Sequence, residues 1–305
     1  MNLPKKITIW EVGPRDGLQN EKIHLTLEQK AELIQLSIEA GLKNIEVGSF
    51  VSPKAIPTMA DTDQLCSLLP KIADAKYRGL IFNLKGLKRA EAAGLNRCEL
   101  TISASRGHCL ANMNKTPEAA VESFREVVEY ANANNIYLNG AVATVFGCSI
   151  DGKVPFEQVA SVLKALSNMG IKDLTLADTT GMANPKQVYE YSSRVQELFP
   201  DVKWTLHFHN TRGLGLANVL AGMQAGITSF DTAYAGLGGC PFAPGASGNI
   251  ATEDLVNMCN EMGIETGVDL DKCIKLGYRV EEIIGGRRSS SILRAGTCCD
   301  IVKKH

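Results

Sequence analysis

The feature that most constrains this fold is a regular alternation of short apolar segments with longer segments of helical spacing. Apolar or β-branched runs of strand length occur eight times, at 7–12, 44–50, 79–83, 98–103, 136–146, 173–177, 204–209 and 229–234. Helical spacing is clearest at 26–40, 117–133, 155–169, 185–199 and 214–225. Because helices follow strands over short connections, the strands are expected to be parallel, and eight of them predict an α/β fold of the (β/α)8 TIM-barrel type.

Local signals at the ends of the helices agree with this division. Thr26 and Gln29 have the spacing of a capping box, and Pro117 and Pro185 are placed at first helical positions. Four helical segments end in a glycine that is followed by an apolar residue and the next strand, namely Gly41, Gly94, Gly170 and Gly226. These glycines are expected to adopt the left-handed conformation that ends a helix.

The domain prediction is a single domain over 1–305. The barrel is expected to span roughly 5–262, and residues 263–305 are expected to form additional C-terminal helices that cover it. No low-complexity linker separates the two parts. A length of 305 residues is compatible with one barrel, because barrels of about 250 residues fold as a single unit.

Charge and cysteine content limit which partners and which cellular compartment the sequence predicts. The formal net charge is -1, which gives no indication of a nucleic-acid or membrane partner. The nine cysteines are odd in number and lack paired C-x-x-C motifs, so they are expected to be free thiols in a reducing cytoplasm. The chain contains neither a secretory signal pattern nor an apolar run of about 20 residues.

Residues capable of chemistry collect at the predicted carboxyl ends of the strands, where such barrels place their active sites. Arg15 and Asp16 lie in the turn after the first strand, and Glu46 lies in the second. His207 and His209 alternate along the seventh strand, so both imidazoles face one side of it while Phe208 packs against the outer helices. This H-x-H pair predicts a metal site.

The segment after the eighth strand is rich in glycine and contains Cys240. Its glycines lack the spacing of a dinucleotide-binding loop, and it has no P-loop lysine. We expect a lid that brings Cys240 over the site, although an inert small thiol is the alternative.

Four segments carry a resemblance to a known family. They are EVGPRDGLQNEK at 11–22, FVSPKAIPTMAD at 50–61, LADTTG at 176–181 and AGLGGCPFAPGASGNIATEDLV at 235–256. They resemble the 3-hydroxy-3-methylglutaryl-CoA (HMG-CoA) lyases, which belong to the metal-dependent barrel lyases. The resemblance implies that the metal ligands are Asp16, His207, His209 and Asn249. It further implies that Arg15 lies beside the reacting oxygen, that Glu46 and Asp178 lie near the metal, that Cys240 acts in catalysis, and that Gln19 contacts substrate.

The activity that this resemblance implies is the retro-Claisen cleavage of an acyl-CoA substrate, HMG-CoA, to acetyl-CoA and acetoacetate, a reaction of leucine degradation and ketone body formation. Two nitrogen and two oxygen ligands leave room for substrate oxygens in a six-coordinate site, so the expected cofactor is Mg²⁺ or Mn²⁺. A homo-oligomer is left open.

Several residues depart from the usual pattern of the lyases. Asn210 and Arg212 replace an aspartate and a tyrosine, Gly48 replaces a threonine, and the segments SASRGHCLANMNKT and FGCSIDG also differ. These departures leave open a lyase for a related 3-hydroxyacyl-CoA, such as citramalyl-CoA.

Three other function classes are alternatives. A Claisen-type condensing synthase also fits Arg15, Asp16 and the H-x-H pair, but the chain ends soon after the barrel, where the synthases continue into a regulatory domain. A zinc hydrolase is disfavoured, because the remaining histidines, His24, His108 and His305, are not expected at the rim. A non-catalytic binding barrel is disfavoured because the ligand set is intact.

Overall fold

In the computed structural model, which describes residues 1–239 and 248–298, eight parallel strands form a closed barrel. The strands are β1 (Thr8–Glu11), β2 (Asn44–Ser49), β3 (Lys76–Ile81), β4 (Arg97–Ser103), β5 (Tyr137–Ala143), β6 (Asp173–Asp178), β7 (Lys203–Phe208) and β8 (Ser229–Thr232). Each strand pairs with the next along the chain, and β8 pairs with β1 to close the barrel. The predicted (β/α)8 fold is confirmed.

Helices surround the barrel. They are α1 (Leu27–Glu39), α2 (Thr62–Ser67), α3 (Leu84–Ala92), α4 (Arg106–Met113), α5 (Pro117–Ser123), α6 (Arg125–Ala133), α7 (Phe156–Asn168), α8 (Pro185–Leu198), α9 (Gly215–Gln224), α10 (Thr252–Glu261), α11 (Leu270–Ile284) and α12 (Ile292–Ala295). The helix predicted at 117–133 is divided at Phe124, whose N–H bonds to Val121 in a tightened turn. The strand predicted at 79–83 begins earlier, at Lys76. The prediction missed its start because the first residues of the strand are polar and do not belong to the apolar run.

The predicted helix ends are confirmed in detail. Thr26 and Gln29 form both hydrogen bonds of a capping box at the start of α1. The four glycines that were expected to end helices have φ between 88° and 95°, a region that side chains disfavour. Each therefore turns its helix back toward the next strand.

The carboxyl ends of the strands define the face that carries the site. Because β1 lies between β2 and β8, the turn after β1 is close to the ends of β7 and β8. On the outside, α11 packs against α1 and α10. The single-domain assignment remains a prediction. No helix among the described residues is long and apolar enough to cross a membrane.

Candidate metal centre and active site

Three side chains that are remote in sequence converge at the carboxyl end of the barrel. One ligand atom from each of Asp16, His207 and His209 lies within 4.8 Å of the other two. Asp16 Oδ2 is 3.3 Å from His209 Nε2 and 4.0 Å from His207 Nε2. Two imidazole nitrogens and a carboxylate oxygen at this spacing form a donor set that suits a divalent cation.

The turn after β1 positions Asp16. The N–H groups of Arg15, Asp16 and Gly17 all point to the carbonyl oxygen of Val12, at 2.7–3.2 Å. This tight winding needs Gly13, because a Cβ there would lie 2.6 Å from Glu11 Oε1. The turn thus directs two adjacent charged side chains toward the barrel mouth.

A carboxylate behind His207 orients its ring. His207 Nδ1 lies 3.2 Å from Asp231 Oδ2, which leaves Nε2 directed toward Asp16. Burial alone would lower the pKa of His207, but the hydrogen bond to Asp231 and the nearby charge of Asp16 raise it. Burial would likewise raise the pKa of Asp16, but Arg15 and the two histidines hold it well below its usual range. Asp16 is therefore ionised, as a metal ligand must be.

Asn249 completes the group of four. Its Nδ2 donates to Asp16 Oδ2 at 2.8 Å and to the Leu237 carbonyl at 2.9 Å. Its Oδ1 is buried and has no hydrogen-bond partner among the described residues. A buried amide oxygen normally finds a donor or a cation, and this one belongs to a side chain whose nitrogen contacts Asp16, so exchange of the two amide atoms would turn the oxygen toward the site. The structure thus brings together all four residues that were predicted as metal ligands.

Arg15 and Glu46 form a buried ion pair beside the four. Arg15 Nε donates to Glu46 Oε1, and its Nη1 donates to Asp16 Oδ1. Glu46 is fully buried and also accepts a hydrogen bond from Arg78, at 2.6 Å. Because it is held between two guanidinium groups, Glu46 can orient Arg15.

Asp178 lies at the end of β6, close enough to the two histidines for their charges to affect it. Its Oδ1 accepts hydrogen bonds from the N–H groups of Met182 and Ala183, at 2.8 and 3.1 Å. Burial raises the pKa of Asp178 above its usual value, against the effect of these bonds. Its Oδ2 has no hydrogen-bond partner in the described part of the chain, so it is available to a proton.

A pocket opens from these residues through the barrel mouth. Gln19 lines it, together with Arg15, Asp16 and both histidines. The wall formed by β4 and α4 is polar and contributes Glu99, Thr101, His108 and Asn112. The expectation that His108 lies away from the rim is wrong: α4 turns it inward, where its Nδ1 is 2.6 Å from Ser103 Oγ.

Cys240 and the rest of the predicted lid up to Ser247 lie outside the described residues. The flanking residues Gly238 and Gly239 reach the site: a Cβ on Gly238 would lie 2.5 Å from Asn249 Nδ2, and Gly239 lines the pocket. The role of Cys240 therefore remains a prediction.

Three of the departures from the lyase pattern have structural explanations. Asn210 Oδ1 accepts from the Gly215 N–H at 2.9 Å, and Arg212 donates to the carbonyls of Thr180 and Gly181. Gly48 is required because a Cβ there would lie 2.6 Å from the Thr62 side chain.

Sequence reasoning missed three charged residues of the barrel interior, Arg78, Glu99 and Asp231. Arg78 and Glu99 lie within β3 and β4, and Asp231 lies within β8. Charged residues inside strands of a parallel barrel are the signal that could have identified them, because burial requires partners. Burial raises the pKa of Glu99 even beside Arg78, whereas Arg78 and His207 outweigh burial and lower that of Asp231.

Comparisons with known proteins agree with this geometry. The sequence model of the HMGL-like family matches residues 6–280. The hydroxymethylglutaryl-CoA lyase of Bacillus subtilis is 42% identical and covers 93% of this chain and 95% of its own length. The mitochondrial hydroxymethylglutaryl-CoA lyase of Macaca fascicularis is 41% identical, with 97% and 91% covered. Among solved structures, an HMG-CoA lyase from Acinetobacter baumannii in complex with coenzyme A and 3-methylmalate is similar, with a TM-score of 0.94, 47% identity and 97% of both chains covered.

Proposed function

The chain belongs to the HMGL-like family and is a carbon–carbon lyase, and from this premise we propose that it cleaves HMG-CoA to acetyl-CoA and acetoacetate with a divalent cation as cofactor. The observation that carries the proposal is the convergence of Asp16, His207 and His209, with Asn249 beside them, at the mouth of the barrel.

The reaction needs two proton movements and the cleavage of one carbon–carbon bond. The tertiary hydroxyl group on C3 of the substrate loses its proton, and the bond between C2 and C3 breaks. C3 becomes the ketone carbon of acetoacetate, while the bonding electrons remain on C2 as the enolate of acetyl-CoA. A proton added to C2 completes the products, so no oxidant or reductant is required.

Asp16, His207, His209 and Asn249 would hold the cation. When bound, it would act as a Lewis acid that makes the substrate hydroxyl more acidic. The surrounding charges support a divalent ion: in the described part of the chain, Arg15 and Arg78 face four carboxyl groups, those of Asp16, Glu46, Glu99 and Asp231. Burial raises the pKa of Glu99, and even with Glu99 counted as neutral, three carboxyl groups face the two guanidinium groups.

Arg15 is the group that would stabilise negative charge on the reacting oxygen. Its guanidinium lines the pocket and is fixed by Glu46 on one side and Asp16 on the other. A pre-oriented cation in a buried site contributes on the order of 3–4 kcal/mol to a charged transition state.

Asp178 and Cys240 are the candidates for the proton transfers. Asp178 has an Oδ2 without a partner among the described residues, and burial raises its pKa above the usual value of an aspartate, which makes it a stronger base. Cys240 would deliver or relay the proton to C2. We expect Cys240→Ser to lower kcat with little effect on metal content, and an unchanged rate would remove the thiol from the reaction.

The test of the function is a substrate panel. Protein freed of metal would be assayed with HMG-CoA after addition of Mg²⁺ or Mn²⁺, and formation of acetoacetate would be followed. We expect turnover that depends on the added cation. Full activity in the metal-free protein, or no cleavage of HMG-CoA with either ion, would contradict the proposal.

A second candidate is a lyase for a related 3-hydroxyacyl-CoA such as citramalyl-CoA. Two observations bear on it: the polar pocket wall that includes Glu99 and His108, and the 3-methylmalate in the structure of the Acinetobacter baumannii relative, a hydroxy dicarboxylate with the four-carbon backbone of the citramalyl group but with its methyl on the neighbouring carbon. Citramalyl-CoA belongs in the same panel, as do acetyl-CoA with 2-oxo acids, which would reveal a condensing synthase.

We further propose Mg²⁺ or Mn²⁺ as the ion, a role in leucine degradation and ketone body formation, and a cytoplasmic location. Two facts support the location: the seven cysteines in the described ranges are free thiols, and the relative from Bacillus subtilis is bacterial. Immunodetection in cell fractions would test it. Gel filtration would test a homo-oligomer.

A further inference from the structure

Arg78 lies beneath the proposed metal centre, in the interior of the barrel. Its side chain is fully buried, and its guanidinium faces Glu46, Glu99 and Asp231. We propose that Arg78 is a positioning residue, which fixes Arg15 through Glu46 and His207 through Asp231. This inference rests on the proposed function, because it assigns Arg78 a role in holding the metal centre and the group that stabilises charge.

The first connection runs to Arg15. Arg78 Nε donates to Glu46 Oε2 at 2.6 Å, while the other oxygen of the same carboxylate accepts from Arg15 Nε. Glu46 is fully buried, so solvent cannot replace either partner. The orientation of Arg15 therefore depends on a carboxylate whose own orientation depends on Arg78.

The second connection runs to His207. Arg78 Nη2 lies 3.2 and 3.3 Å from the two oxygens of Asp231, and Asp231 Oδ2 lies 3.2 Å from His207 Nδ1. A carboxylate behind a metal-binding histidine fixes its tautomer and ring orientation and increases its basicity. Arg78 holds that carboxylate in place.

The third contact and the packing explain why an arginine is needed. Arg78 Nη1 lies 2.8 Å from Glu99 Oε2, an ion pair without the angles of a hydrogen bond, and the guanidinium carbon is 4.3 Å from the centre of the Trp10 ring. A planar guanidinium group can pair with three carboxyl groups in three directions and stack on an aromatic ring, whereas the compact ammonium group of a lysine cannot. Arg78→Lys keeps the charge and loses this geometry.

The experiment compares Arg78→Lys with the wild type by titrating metal-free protein with Mn²⁺ in a calorimeter, and then by measuring kcat and KM for HMG-CoA. We expect the Mn²⁺ dissociation constant to rise about 10- to 100-fold, as is typical when a residue behind a metal ligand is changed, and kcat to fall more than KM changes. Arg279→Lys is the matched control, because Arg279 also forms ion pairs with two carboxylates, those of Glu32 and Glu282, but lies on the outer helices. It should leave both quantities unchanged.

A purely structural role predicts a different result. Arg78→Lys would then lower the melting temperature, but the folded protein would bind Mn²⁺ and turn over like the wild type, and this outcome would overturn the inference. If Arg78→Lys does not fold, the pair Arg78→Met with Glu99→Gln removes the guanidinium together with one of its carboxyl partners. Because Glu99 also lines the pocket, this pair is held to the Mn²⁺ dissociation constant alone. A wild type that binds no Mn²⁺ would overturn the proposed function as well, whereas a Mn²⁺-binding wild type with unchanged variants overturns the inference alone.

Discussion

Two groups of buried carboxyl side chains in this barrel are stabilised in opposite ways. The arginine network, formed by Arg15, Glu46, Arg78, Glu99 and Asp231, pairs carboxylates with guanidinium groups directly beneath the proposed metal centre. The Glu11 cluster, formed by Glu11, Tyr234, Thr252 and Glu253, has no Arg or Lys ion pair within the described ranges and relies on N–H and hydroxyl donors.

The pKa of Asp231 and those of the Glu11 cluster follow this difference, whereas burial raises the pKa of Glu99 even beside Arg78. Arg78 and His207 lower the pKa of Asp231, so that it is charged where it meets His207. Burial raises the pKa of Glu11 to about 8 and that of Glu253 to about 7. The barrel therefore retains charge where a cation and a reacting oxygen need it. Where carboxyl groups serve only to connect segments by hydrogen bonds, as Glu11 connects the turn after β1 to the segment after β8, burial favours their neutral form.

The largest expected effect comes from removing a predicted ligand. His207→Ala or Asp16→Ala should lower kcat for HMG-CoA by on the order of 1000-fold or more, because the Lewis acid would be lost with its ligands. Circular dichroism should be unchanged, since both side chains lie at the mouth and not in the apolar core. Activity within tenfold of the wild type in either variant would remove that residue from the centre.

A smaller loss is expected from Arg15→Gln, which keeps a polar side chain but removes the positive charge. We expect kcat to fall about 100- to 1000-fold, because the charge on the reacting oxygen would lose its nearest guanidinium. Mn²⁺ affinity, measured by calorimetry, should change much less than kcat. Equal losses in both quantities would mean that Arg15 supports the metal centre instead of the reacting oxygen.

The Glu11 cluster should determine part of the pH dependence of stability. The raised pKa keeps Glu11 protonated in the folded protein between about pH 5 and pH 8, while the unfolded chain releases that proton. The stability contributed by Glu11 is therefore complete below pH 5 and is lost as the pH rises toward 8. Glu11→Gln should flatten this decline in the free energy of unfolding, by a few kcal/mol at pH 8.

Urea denaturation at pH 5, 6.5 and 8 measures that slope. Glu265→Gln is the control, because Glu265 forms an exposed pair with Lys6 and should leave the slope as it is in the wild type. If Glu11→Gln and the wild type lose stability in parallel from pH 5 to pH 8, Glu11 is charged in the folded protein and the contrast between the two groups is wrong.

The smallest effect is expected from Glu253→Gln. Its pKa is raised to about 7 by burial, so its contribution is lost over a narrower range than that of Glu11. The same denaturation series should show a partial flattening, mostly below pH 7. A flattening larger than that of Glu11→Gln would reverse the order of the two carboxyl groups.

The sequence predicted the elements that depend on local patterns. The strand–helix alternation, the glycines at helix ends and the alternation of His207 and His209 all follow from neighbours within a few residues, and so does the Arg15–Asp16 turn. Placing those residues at one end of the barrel brought Asp16 and the two histidines together. Asn249 was identified only through the resemblance to the HMG-CoA lyases.

The arginine network could not be predicted in the same way. Arg78 and Asp231 are 153 residues apart, and neither sits in a recognisable motif, so only barrel closure brings them into contact. His108 was misplaced for a related reason: α4, which turns it into the pocket, was not among the predicted helices. Cys240 and the segment predicted to be a lid lie outside the described residues, so they remain a prediction from the sequence pattern.

The most direct test of the metal centre is a crystal grown with Mn²⁺ and measured at a wavelength at which manganese scatters anomalously. The account predicts one anomalous peak per chain within bonding distance of Asp16, His207, His209 and Asn249. A peak bound elsewhere, or none at all at saturating Mn²⁺, would contradict it.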